Sequence, residues 1–159
     1  MWYCVVSSFI FLSNAIAAYM YSQYLVGSLW LFLMMTSVLY HSIRLFHTSH
    51  LLFTDMIIRT NQHNYWLHLV YLFDMVAVYL IVTYVLYNHF RKMLHTKFTP
   101  YITFVNISIF SLLMYIVFIY LYGERTHQYC FHKYSSSAEK WHSTVHLSGS
   151  IAHHLTLLL

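Results

Sequence analysis

The sequence predicts an all-α fold, a multi-pass bundle of about five transmembrane helices in one integral membrane domain spanning residues 1–159. Apolar residues make up 60% of the chain and charged residues only 8%, whereas soluble domains run near about 25% charged. Aromatic residues account for 20%, which excludes a disordered chain, because such chains are charge-rich and poor in aromatics. Five apolar stretches approach the roughly 20 residues that a helix needs to cross the hydrocarbon.

The first stretch runs from about residue 2 to 21. Ala15-Ile16-Ala17 is compatible with a signal-peptide cleavage site, but no Lys or Arg precedes it and the apolar run is long, so a retained helix is favoured. A tight turn at Ser22-Gln23 leads into the second helix, about 24–46. The connection to the third is long. It includes Leu51–Arg59, which mixes apolar and charged residues in the manner of a short interfacial helix. The third helix covers about 66–90, and Arg91, Lys92 and Lys97 follow it. Thr99-Pro100 then starts the fourth, about 101–122, with a capping residue before a first-turn proline. A polar connection containing Ser135-Ser136-Ser137 precedes the fifth, about 141–159. Tyr19, Tyr21, Tyr24, Trp66 and Trp141 suit an interfacial aromatic belt. An odd number of crossings puts the two ends on opposite sides. Basic residues are nearly balanced between the two sides, so orientation is left open.

The net charge of +4 comes from eight scattered Lys and Arg. There is no basic run and no Gly-rich phosphate loop, so no nucleic-acid partner is expected. Cys4 and Cys130 form no metal-type spacing. Thirteen histidines are the anomaly.

Asp74 is the one acidic residue well inside an apolar span. A carboxylate there costs several kcal/mol unless paired or facing a wet cavity, so it is a functional candidate by default, with a packing hydrogen bond as the alternative. His142 and His146 stand one above the other on a helix face, where both rings can reach one metal ion. Thirteen histidines would produce roughly one such pair by chance, so the pair alone is weak. Ser37 and His41 share a face in the same way, and a serine back-bonded to its own helix beside an interfacial histidine would explain them equally well.

Depth joins the three features. At about 1.5 Å per residue, His41 lies about 8 Å before the end of the second helix. Asp74 lies about 12 Å after the start of the third, and His146 about 8 Å after the start of the fifth. The second helix runs opposite to the other two, so Ser37, His41, Asp74, His142 and His146 fall in one layer. Three imidazoles with a fourth position open to water form a zinc site of the catalytic type. An adjacent Asp could accept a proton from that water, and a Ser could hydrogen-bond it or the substrate. His153 either lines the cavity or bonds a backbone carbonyl of a neighbouring helix, and the second is favoured. His154 has no assigned role. His47, His50, His63, His68, His89, His95, His127 and His132 lie in or near loops, where a solvated imidazole needs no explanation.

The order Ser-x-x-x-His (Ser37, His41), intramembrane Asp (Asp74), then His-x-x-x-His on the last helix (His142, His146) resembles the CREST superfamily. That group includes alkaline ceramidases, progestin and adiponectin receptors, lipid-remodelling proteins of glycosylphosphatidylinositol anchors, and myomaker with its relatives. The segments Ser37–His41 and Trp141–Leu147 look most like the myomaker-related branch. The resemblance implies three zinc ligands, His41, His142 and His146, with Ser37 and Asp74 beside the metal-bound water. The family core has seven helices. Loss of an adjacent pair between the third and the last preserves the direction of every helix that carries the site. The interval from His41 to Asp74 is longer than in the family, which leaves Asp55 as a rival carboxylate, although Asn61–Asn64 argues against an unbroken helix there.

The leading expectation is a zinc-dependent hydrolase acting on a membrane lipid amide or ester, ceramidase-like or phospholipase-like. The alternative is a non-catalytic membrane-remodelling, fusion or receptor-like protein in which zinc is structural. A degenerate fragment without activity is a third reading. Substrate, organelle and oligomeric state are not specified by the sequence.

Overall fold

The computed structural model describes residues 2–53, 61–97, 99–131 and 135–159, with side chains at all of these except 47–53, 61–64, 67 and 135. Six helices and one short 3-10 turn form among the described residues, and no strand. Helices α1 (Tyr3–Ser8) and α2 (Ile10–Met20) make a single crossing interrupted at Phe9. The interruption has a local cause. Ser7 and Ser8 both donate their hydroxyls to the Cys4 carbonyl, at 3.1 and 2.7 Å, and this kind of back-bonding bends a helix. Around Phe9 the ladder tightens to bonds three residues apart.

The turn at Ser22-Gln23 is as expected. Ser22 takes a left-handed φ of 58°, and the Gln23 N–H returns to the Ala18 carbonyl at 2.8 Å, closing the end of α2. Helix α3 (Tyr24–Phe53) continues past Phe46, and α4 (Asn61–His95) starts before Trp66 and outlasts Phe90. Helix α6 (Ser135–Leu157) likewise begins before Trp141. Apolarity marks where the bilayer ends, but the backbone ladder satisfies itself in water too, so the helices extend beyond their apolar stretches. The expected interfacial helix at 51–59 is not a separate element where it is described, because residues 51–53 are the end of α3. Its remainder, with Asp55, lies outside the described residues. Helix α5 (Pro100–Thr126) starts as its sequence directs, with the Thr99 hydroxyl accepting from the Ile102 N–H at 3.2 Å.

Four segments are long and apolar enough to cross a bilayer: Tyr3–Met20, Tyr24–Phe46, His68–His95 and Pro100–Phe131. The chain is an integral multi-pass membrane protein. The expected fifth span differs in character. At 23 residues, or about 35 Å, α6 is long enough, but it is too polar to qualify on composition. It packs against α1, α2 and α5 and buries Ser148, Ser150, His153 and Thr156 among protein rather than facing lipid. Helix α5 is its opposite. It exposes Phe104, Ile107, Phe110, Met114, Phe118 and Leu121 at helical spacing, a stripe suited to the acyl region.

The apolar core gathers Phe11, Ala15 and Ala18 of α2, Val26, Trp30 and Leu33 of α3, and Ala77 and Ile81 of α4. The three alanines let these helices approach closely. Among the described residues the α5 backbone approaches α6 closely but not α4. Helices α3 and α6 meet through side chains, Trp30 on His153 and His41 beside His142 and His146, rather than through close backbone approach. Helices α1 and α2 contact both α3 and α6.

Candidate metal centre

His142 and His146 sit one turn apart near the start of α6, with ring centroids 4.7 Å apart. His41, near the membrane end of α3, turns toward both, at 5.1 Å from His142 and 5.8 Å from His146. One ligand nitrogen from each ring lies within 4.8 Å of the other two. Tetrahedral zinc with Zn–N bonds of about 2.0–2.1 Å needs nitrogens about 3.3 Å apart, so closure by no more than about 1.5 Å would complete the site.

The surrounding hydroxyls bear on which nitrogens face inward. Ser7 Oγ lies 3.1 Å from the Cys4 carbonyl and 2.9 Å from His146 Nδ1. With Ser7's single proton on the carbonyl, a proton on His146 Nδ1 satisfies both contacts and leaves the Nε2 lone pair as the ligand, with the outer-shell hydrogen bond typical of metal-bound imidazoles. Tyr120 of α5 approaches His142 Nδ1 at 3.4 Å. His41 Nε2 is buried and has no hydrogen-bond partner. A buried ring nitrogen without a partner is costly, and a metal ion held by the three rings would satisfy it. The donor set thus fits a metal ion that accepts imidazole ligands.

Ser37 is buried and contacts Ser8, with oxygens 2.9 Å apart. Since Ser8 donates to Cys4, the Ser37 hydroxyl donates to Ser8 and keeps only lone pairs for other use. Asp74 is 8% exposed, and its hydrogen bond among the described residues comes from the Thr36 hydroxyl at 3.2 Å. Thr36 also reaches the Leu33 carbonyl at 3.1 Å. The structure therefore brings the three histidines together and leaves Ser37 and Asp74 bonded to neighbours of their own.

Ser7, Ser8 and Tyr120 were not identified from the sequence. The depth argument could have found Ser7, which lies about 8 Å into the first crossing, on the same side as the triad. One other histidine is corrected. His89 is not a solvated loop residue: it is 6% exposed within α4, and its Nδ1 has no partner among the described residues. His153 is 2% exposed, lies beside the Asn14 backbone of the neighbouring α2, and packs its ring on Trp30 at 5.0 Å. His154 contacts the Ser13 hydroxyl at 3.2 Å.

Comparison with family models, with curated proteins and with solved structures finds no match to this chain.

Proposed function

We propose that the chain is a zinc-dependent hydrolase of a membrane lipid amide or ester, built on the plan of the CREST superfamily. The observation that carries this reading is the convergence of His41, His142 and His146, their ligand nitrogens within 4.8 Å of one another and one of them buried without a partner. A bound zinc ion would supply Lewis acidity toward a carbonyl and acidify a coordinated water. Three protein ligands leave a coordination position for that chemistry.

On this reading Asp74 is the proton acceptor. Thr36 engages one carboxylate oxygen, which holds the group in place while the other oxygen remains to take a proton. Ser37, its proton committed to Ser8, positions a reacting group by accepting a hydrogen bond from it. Tyr120 and Ser7 hold the His142 and His146 rings in orientation. Among the described residues the α4 and α5 backbones do not approach closely, which supports lateral access for a lipid chain between them.

The contacts of Asp74 favour a second reading, in which zinc is a structural staple in a remodelling or receptor-like protein. The carboxylate bonds Thr36, with no imidazole as its partner among the described residues, as a packing hydrogen bond would. Metal analysis of the purified protein, paired with hydrolysis assays on lipid amide and ester probes, separates the two readings. Zinc with turnover supports the hydrolase, and zinc without turnover on any probe supports the staple. Absence of zinc overturns both.

A further inference from the structure

The face opposite the triad has a site of its own. From Asp74 to Lys92, α4 rises about 27 Å, close to the thickness of the hydrocarbon. There a cleft of about 670 Å³ opens between the α2–α3 turn and the end of α4, with Gln23, Asn88, Arg91, Lys92 and His95 among its lining residues. Its volume lies within the range of small-molecule sites, about 300–1,000 Å³. Gln23, Asn88 and Lys92 also wall a small adjoining cavity that reaches inward to His89, His153 and Thr156. His89 and His153 are more than nine-tenths buried, and His89 Nδ1 has no hydrogen-bond partner among the described residues.

The electrostatics are one-sided. Asp74, Glu124 and Glu139 lie toward the triad end of their helices, and the fourth acidic residue, Asp55, belongs in sequence to the segment joining α3 to α4. No side-chain carboxylate is among the residues lining the cleft, and Arg91 and Lys92 form no ion pair among the described residues. Lys92 gives one N–H to the Thr156 carbonyl at 3.1 Å, which orients its ammonium and leaves two donors. Arg91 is exposed and keeps its full fork of donors. Arg91 and Lys92 both line this concave site, and their charges suit a phosphate group, which Arg can engage in bidentate fashion.

We propose that this cleft binds a phosphate-bearing anion, either the headgroup of an anionic lipid or a soluble phosphate compound, at the membrane face opposite the histidine triad. Arg91 and Lys92 hold the phosphate, and Gln23 and Asn88, which also line the cleft, offer amide donors beside it. The proposal does not depend on metal at the triad.

The test uses the purified full chain in a maltoside detergent, which carries no phosphate, with binding read by native mass spectrometry. Three probes are added separately: phosphatidic acid, diacylglycerol with the same acyl chains, and inorganic phosphate. Phosphatidic acid binding without diacylglycerol binding supports the site. Inorganic phosphate competing for it would identify a soluble ligand class, and failure to compete would identify a lipid headgroup. Arg91→Gln removes charge-assisted hydrogen bonds and should weaken binding roughly ten-fold. Lys97→Gln, outside the cleft, should leave it unchanged. Because Arg91 is exposed, its variant should melt at the wild-type temperature without ligand, so a binding loss there is not a folding loss. Equal retention of diacylglycerol and phosphatidic acid, or equal losses in Arg91→Gln and Lys97→Gln, would overturn the proposal.

Discussion

Asp74→Asn changes one atom of a buried group and separates catalysis from packing. The side chain keeps its shape and retains a carbonyl oxygen to accept the Thr36 hydroxyl, now 3.2 Å from the carboxylate. What disappears is the negative charge and the basicity. Hydrogen bonds to charged groups contribute about 1.5–3 kcal/mol and neutral ones about 0.5–1.5, so the expected loss of stability is about 1 kcal/mol. The three imidazoles are untouched, and zinc content should stay near wild type. Loss of a general base removes about 10²–10⁴ in rate, equivalent to about 3–5 kcal/mol of barrier. Turnover should therefore fall far more than stability can explain. Fatty-acid release from lipid amide and ester probes, metal analysis by mass spectrometry and thermal melting supply the three readouts on one preparation. Wild-type turnover in Asp74→Asn would refute the proton-acceptor role. Joint loss of zinc and turnover would make the carboxylate part of the metal's binding set instead. Asp55→Asn is the matched control, and loss of turnover there alone would move the role to that residue.

His142→Ala and His146→Ala should each strip the metal, whereas His127→Ala, at an exposed left-handed position after α5, should keep it; equal zinc in all three would remove the site. Ser7→Ala deletes the acceptor for His146 Nδ1 and should weaken zinc binding about 10–100-fold without removing a ligand, measured by competition with a chelator of known affinity. Ser150→Ala breaks the buried 2.6 Å bond to Asn14 Oδ1 and should destabilise by about 1–2 kcal/mol in thermal melts with zinc content unchanged; a melt identical to wild type would refute the importance of that contact.

The features that could be read from the sequence were those set by local geometry. The spacing of His142 and His146 fixes their shared face on any helix, and antiparallel order plus a rise of about 1.5 Å per residue brings His41 to the same depth. Thr99-Pro100 starts α5 because capping is also local. The misreadings concern what surrounds a residue. His89 looked solvated because Arg91 and Lys92 follow it, yet the neighbouring α6 covers it. Ser7 was overlooked because a serine in an apolar helix ordinarily satisfies itself against its own backbone. It does so here with Cys4, and its remaining lone pair orients a histidine of another helix. The break at Phe9 follows from the same two serines and has no proline or glycine to announce it.

The first crossing gains importance from where it packs. The ligand-bearing helices α3 and α6 meet through ring contacts rather than close backbone approach, and α1 and α2 pack against both. Ser8 reaches across to Ser37 on α3, and Ser7 reaches the other way to His146 on α6. Both serines are held by the Cys4 carbonyl, so the helix distortion that frees Phe9 from the regular ladder also fixes the two hydroxyls facing the site. The spacing between His41 and the α6 pair is therefore supported by a third element as well as by the direct ring contacts. A metal ion spanning the three rings would link α3 to α6 directly, adding to stability as any ligand of the folded state does. Such a link matters because, among the described residues, the α5 backbone closely approaches only α6 and the 3-10 turn. The polarity of α6 follows from the same arrangement. One side of it packs against α1, α2 and α5 and carries His142, His146, Ser150 and His153, while Leu147, Ile151 and, just past its end, Leu158 form an exposed apolar stripe on the other.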